Sequence, residues 1–192
     1  MAHPSRTGAD TAEDRARILS AARTLFNERG VQAVGMDAIR TASGVPLKRL
    51  YRAFPAKDEL VQAVLREADR TVREELTAYV DKHADSPRDR VLAVFDYLHD
   101  WFGQPGFRGC LFLNTVGELG TVSPRVTDLA RVHKQAFRDH LGELAAAAGL
   151  PPERADQLSV LANGAMATAG VLGTPAPARQ AREIAATLLD AS

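Results

Sequence analysis

Helical periodicity, cut into lengths by glycine and proline, is the feature that most restricts how this 192-residue sequence can fold. Strict alternation of apolar and polar residues never persists over the roughly 4–8 positions that mark a half-buried strand. Ile18, Ala21, Ala22, Leu25 and Phe26 instead fall at i, i+3, i+4, i+7 and i+8, one apolar face of a helix. This predicts a first helix from about Thr11, with Glu13 and Asp14 in its first turn to complement the dipole, stopping at Gly30. Two short helices follow, Asp37 to Ser43 and Leu47 to Ala53, with Gly44 between them and Pro46 suited to a first helical position. After Pro55 a long helix runs from about Lys57 to Lys82. Ser86-Pro87 and Ser123-Pro124 each read as a cap followed by a proline, opening helices to about Phe102 and Ala148. Between them lie a glycine-rich loop, Gly103 to Gly109, and a short apolar helix, Cys110 to Leu119. Pro151-Pro152 opens a helix to about Leu172, and Pro175 to Pro177 begins the last, to about Leu189. The expectation is an all-α fold of about nine helices.

Charge narrows the function. The chain has 24 Lys+Arg and 24 Asp+Glu, so it cannot hold nucleic acid through bulk positive charge. The distribution is uneven: residues 1–60 carry a net +3 and residues 61–192 a net −3. Between Met36 and Lys57 the basic residues are Arg40, Lys48, Arg49, Arg52 and Lys57 against one acid, Asp37. A charged window on a neutral chain points to an anionic partner at one place, or to a merely solvated helix face. One cysteine, Cys110, excludes an intramolecular disulfide framework and fits a reducing compartment, the cytoplasm. The first ten residues have no apolar core of a signal peptide, and the least polar stretch, Leu158 to Leu172, is interrupted by Asn163 and Thr168. No membrane is expected as a partner.

A short helix, a turn at Gly44 and a second short helix rich in Lys and Arg form a helix-turn-helix signature. Met36, Ile39, Val45, Leu50 and Phe54 would hold the pair on the first helix, leaving Leu47, Lys48, Arg49, Tyr51, Arg52 and Ala53 outward. A helix of this kind fits the DNA major groove. The run GVPLKRLYRAFPAKDEL (Gly44 to Leu60), with ILSAARTLFNERG (Ile18 to Gly30) and Met36-Asp37-Ala38-Ile39 upstream, resembles the signature of the TetR family of transcriptional regulators (TetR/AcrR type). The resemblance covers about residues 12 to 60.

That resemblance implies a homodimer that binds a palindromic double-stranded DNA operator and represses until a small-molecule effector releases it. It divides the chain into a flexible N-terminus (1–11), a helix-turn-helix DNA-binding domain (12–56) and a helical effector-binding and dimerisation domain (57–192). It implies DNA contacts from Arg40, Leu47, Lys48, Arg49, Tyr51, Arg52 and Lys57, with Tyr51 and Lys57 on phosphates. Arg49 or Lys48 would read guanine O6 and N7. Lys48 and Arg49 stand where Gly and Thr are frequent in the family, so this second helix is more basic than usual. The last two long helices would carry the dimer interface, the first through its small residues Ala162, Gly164, Ala165, Ala167, Ala169 and Gly170, the second through Ile184, Leu188 and Leu189.

For the effector pocket the candidates are Tyr97, Trp101, Phe102, Phe107, Cys110, Phe112, Asn114, His133, Phe137, Asn163 and Met166, aromatic or apolar groups with a few polar ones, as ligand sites require. Such aromatics are more often core than ligand box. Asn114 sits inside the apolar run 110–116, where a buried amide needs a partner. Arg108 to Asn114 resembles a segment at the start of the sixth helix in a subset of the family, some of whose members sense electrophiles or oxidants through a cysteine there. Arg108 and the helix N-terminus could lower the Cys110 pKa, whereas a free cysteine is commonly inert packing. His133 and His140 share a helix face but lack a third metal ligand. No cofactor is expected beyond the effector. Catalytic motifs such as G-x-S-x-G, the P-loop and H-E-x-x-H are absent, so no enzyme is expected. The alternatives are a helical small-molecule-binding protein or a protein-interaction module without DNA binding.

Overall fold

A computed structural model describes residues 6–191 and is helical throughout them: α1 (Arg6–Arg29), α2 (Met36–Ser43), α3 (Leu47–Ala53), α4 (Lys57–His83), α5 (Pro87–Phe102), α6 (Leu111–Leu119), α7 (Pro124–Ala147), α8 (Glu153–Leu172) and α9 (Ala176–Asp190). Among the described residues no helix is long and apolar enough to cross a membrane. The first helix already covers residues 6–10, ahead of the expected Thr11, because only Gly8 weakens that stretch, at a cost of about 1 kcal/mol, and no proline interrupts it. Glu13 and Asp14 are therefore mid-helix rather than in the first turn. The expected flexible N-terminus falls partly on residues 1–5, outside the described residues; residues 6–11 are helical. Pro46 and Pro175 sit just before their helices rather than within the first turn. Cys110 likewise precedes α6, its carbonyl accepting the Asn114 amide at 3.0 Å.

The chain forms two compact units, with α4, α6 and α7 each contributing to both. One comprises the chain to Ala68 together with Thr115–Leu129. Its core is Ile18, Ala22 and Phe26 of α1, Ile39 of α2, Leu50 of α3, Phe54, Leu60 and Leu65, all buried. The α2–α3 turn depends on Gly44, which caps α2 at φ 65 and donates its amide to Arg40 O at 3.0 Å. A Cβ there would lie 2.7 Å from Arg17 Nη2 and in a backbone region that side chains disfavour. Phe54, in extended conformation before Pro55, ends α3 as the residue before a proline should. Glu118 of α6 fastens the α1–α2 loop in this unit: its carboxylate accepts the amides of Val31 (3.0 Å) and Gln32 (2.7 Å). The Gln32 side-chain amide donates to the Glu118 carbonyl at 2.6 Å.

The other unit comprises Asp69–Asn114 and the chain from Ala130 onward. Here α9 packs on both α5 and α8. Ser86 caps α5, accepting the Asp89 amide at 3.1 Å, as its Ser-Pro start predicts. Part of the small-residue surface of α8 is used inside the chain: Ala162, Ala165 and Ala169 are buried. Gly170 is required by a close approach, since a Cβ there would lie 2.9 Å from the Gly109 Cα. Val160, Val171 and Leu172 of α8 and Ile184 of α9 are exposed.

Candidate nucleic-acid interface and buried thiol cluster

The α2–α3 pair is held from beneath and polar above. Ile39, Val45, Leu50 and Phe54 are buried as expected, and Met36 is half-buried. Arg15 of α1 lies over the Phe54 ring, 4.4 Å from its centroid. On α3, Leu47, Lys48, Tyr51 and Arg52 are exposed, whereas Arg49 and Ala53 are half-buried. A helix of two turns has one fully outward face, and 47, 48, 51 and 52 are the positions at helical spacing that share it.

The positive window is smaller in space than in sequence. Arg40 pairs with Asp37 at 2.7 Å, which raises the arginine and lowers the aspartate from their ordinary pKa values through a hydrogen bond and charge attraction. Arg49 Nε pairs with Asp14 Oδ2 of α1 at 2.5 Å. Lys57, in the first turn of α4, is pushed below its usual pKa by partial burial, with the Glu118 carboxylate working against that shift. Lys48 and Arg52 are exposed and make no ion pair among the described residues, so they are the unneutralised cations of this face. Asp14 and Glu118 are distant in sequence from the window, which is why a local charge count misses them.

The eleven effector candidates fall into separate clusters. Tyr97, Trp101, Phe102 and Phe107 form a run of rings extended by Tyr79: Tyr97 to Trp101 at 6.3 Å, Trp101 to Phe107 at 5.4 Å and Phe102 to Phe107 at 4.7 Å between centroids. Tyr79 lies 5.6 Å from Tyr97, and its hydroxyl donates to Asp100 at 3.0 Å. Burial, with that hydrogen bond, pushes the Tyr79 phenol up to about 12. Phe137 instead lines an open cleft of about 370 Å³ between α4 and α7, with Leu76, Arg73 and His140. Met166 is buried on α8. Asn114 is exposed rather than buried; its side chain turns back to donate to the Arg108 carbonyl at 3.0 Å, satisfying the loop that enters α6.

Cys110, Phe112, His133 and Asn163 do converge. His133 is buried, stacks flat on Phe112 at 3.8 Å and bonds Asp69 through Nδ1 at 2.7 Å. His133 also favours the charged form of the Cys110 thiol. Lys134 Nζ sits 3.4 Å from the sulfur and also bonds the Asn163 side-chain oxygen. Asn163 is held in turn by donating to the Ser159 carbonyl at 2.8 Å. Burial pushes the thiol up, but the His133 hydrogen bond, the Lys134 charge and the Leu113 amide at the start of α6 outweigh it and bring the thiol to about 7. Arg108, expected to do this, bonds the Phe107 carbonyl instead. Lys134 and Asp69 were absent from the sequence-based candidates, although each lies in phase with its helix's apolar stripe: Ala130, Lys134, Phe137 and Leu141 on α7, and Leu65, Asp69, Val72 and Leu76 on α4. Among the described residues no group of three or more His, Cys, Asp or Glu side chains is placed to hold a metal ion.

Comparison with known proteins agrees with the all-helical fold and its N-terminal helix-turn-helix unit. Residues 18–64 match the profile of the bacterial regulatory proteins of the tetR family. The HTH-type transcriptional activator FasR of Mycolicibacterium smegmatis is 34% identical over 154 residues, spanning 77% of this chain and 66% of its own length. Among solved structures, SCO4454, a TetR-family transcriptional regulator from Streptomyces coelicolor, is 33% identical with a TM-score of 0.85, covering 93% of this chain and 95% of its own. The sav143 protein of Streptomyces avermitilis is 31% identical with a TM-score of 0.75, covering 93% and 97%.

Proposed function

Because the chain belongs to the TetR family of DNA-binding transcriptional regulators, we propose that it acts as a cytoplasmic homodimer that represses from a palindromic operator and leaves it when a small molecule binds the helical body. The observation that carries this is the α3 face: Leu47, Lys48, Tyr51 and Arg52 outward on a helix fixed to α1 by buried Leu50 and Phe54. Residues 12–56 are the DNA-binding domain in this reading and 57–192 the effector and dimerisation domain. Lys48, Tyr51 and Arg52 contact DNA directly, with Arg40 and Lys57 at the flanking phosphates. Two-fold pairing uses the exposed apolar residues Val160, Val171 and Ile184, and matches a palindromic site. Selection of bound sequences from random duplex DNA tests the proposal. A palindromic consensus is expected; no enrichment, or a strictly monomeric protein by light scattering, overturns it. FasR is named an activator, so a reporter assay from the selected site reads the direction of control.

The Cys110 cluster favours one effector chemistry over others. A thiol brought to about 7 is substantially thiolate at neutral pH, and the thiolate is the nucleophile. Soft electrophiles that alkylate Cys110 would then release the operator. N-ethylmaleimide should abolish operator binding by the wild type and spare Cys110→Ser; equal sensitivity of the two overturns this reading.

A further inference from the structure

Among the described residues, Asp14 is the only carboxylate that is buried, and it lies on the inward stripe of α1 one turn before Ile18. Its Oδ2 meets Arg49 Nε at 2.5 Å, and the two side chains differ sharply in solvent access, 8% for the carboxylate and 40% for the arginine. A desolvated carboxylate needs its cation, so the contact fixes Arg49, while the arginine still reaches the surface that bears Lys48 and Arg52.

Resting on the DNA-binding reading above, we propose that Asp14 is a positioning residue for base recognition, which holds the Arg49 guanidinium by a close ion pair so that the arginine is offered to a guanine. The planar guanidinium carries five donors in a rigid fork, so a carboxylate held against one part of it restrains the whole group. Two of those donors match O6 and N7 on the major-groove edge of guanine. A free arginine loses rotamer freedom when it binds; one already held in place loses less. The pair also carries no net charge. Arg49 therefore adds little to counterion release, which Lys48 and Arg52 supply, and its contribution is discrimination rather than attraction. Asp14 thus separates the two jobs that basic residues on a recognition helix usually share.

Removing Asp14 should move those two quantities in opposite directions. The test takes the duplex consensus selected by the wild-type protein, its single-base-pair substitutions and a scrambled duplex of equal length. For Asp14→Ala, preference for the consensus over the duplex substituted at the guanine should fall by about 5- to 100-fold, the range one bidentate arginine contact provides. Affinity for the scrambled duplex should rise a few-fold, because one cation is unmasked. Asp14→Asn keeps the size of the side chain without the charge and should shift both quantities in the same directions; it carries the test alone if the alanine variant does not fold by circular dichroism. In an Arg49→Ala background, Asp14→Ala should add no further loss of preference. Unchanged preference in the Asp14 variants, or preference and scrambled affinity falling together, overturns the proposal and leaves the DNA-binding reading standing. If the wild type selects no sequence at all, both fall.

Discussion

At the scale of single residues, two positions have consequences that can be measured directly. The Cys110 thiol, brought to about 7 from an ordinary 9.0, should titrate near neutrality when thiolate absorbance in the ultraviolet is followed with Cys110→Ser as the blank. His133→Phe keeps the stack on Phe112 but removes the hydrogen bond, and should move that midpoint up. A thiol with a depressed pKa in the folded state adds stability as its proton is lost. Wild-type stability relative to Cys110→Ser should therefore climb between about pH 7 and 9, and that advantage should vanish as pH falls below the lower value. Gly44 is held at φ 65, so Gly44→Ala should cost about 1–2 kcal/mol in chemical denaturation, with most of the penalty in the backbone, since the Arg17 guanidinium in the way is the end of a flexible side chain. Gly44 and Cys110 were visible in the sequence. Asp14, Asp69 and Lys134 were visible in principle, as charged residues in phase with an apolar stripe, but periodicity marks which face is inward without saying which distant partner a charge will meet there.

At the scale of elements, the helices were legible because their stops are written in glycine and proline. Gly30, Gly44 and Gly149 each adopt positive φ where the sequence places a break, and Pro87 and Pro124 open α5 and α7 where Ser-Pro marks them. The one substantial displacement, helical backbone at residues 6–10 ahead of the expected Thr11, falls on a stretch where the sequence carries no proline and a single glycine. What the elements do to each other was less legible. The carboxylate of Glu118 reaches loop amides 86 and 87 positions away, a contact that no local pattern encodes. Glu118→Ala leaves the Val31 and Gln32 amides without that acceptor and should cost about 1–3 kcal/mol, with faster hydrogen exchange confined to residues near 30–34. Equal exchange in mutant and wild type would show that water replaces the carboxylate without loss.

At the scale of the whole molecule, the exposed apolar residues of α8 and α9 bear on assembly. Val171 is 86% exposed and Ile184 51%, while Ala162, Ala169, Ala181 and Ala185 are buried within the chain. Val171→Glu together with Ile184→Glu should leave the fold intact by circular dichroism, reduce the mass by light scattering to a monomer, and weaken operator binding by more than ten-fold, since half-site contacts would no longer be linked. Composition alone could not separate the inward small residues of α8 from the outward ones, because from Leu158 onward every residue of the helix but Asn163 is apolar or small. The candidate ligand residues fall into separate clusters for a related reason: aromatic content identifies what can line a site, and only the packing decides which rings meet.

Cys110 is also the only cysteine in the chain, and it is 4% exposed. A reagent too large to enter the closed body can reach it only during transient openings, so its rate of labelling becomes a clock for the breathing of the helices around the sulfur. Because no second thiol competes, that clock reads one site per protomer, and a ligand that tightens the body should slow it whether or not the ligand touches sulfur.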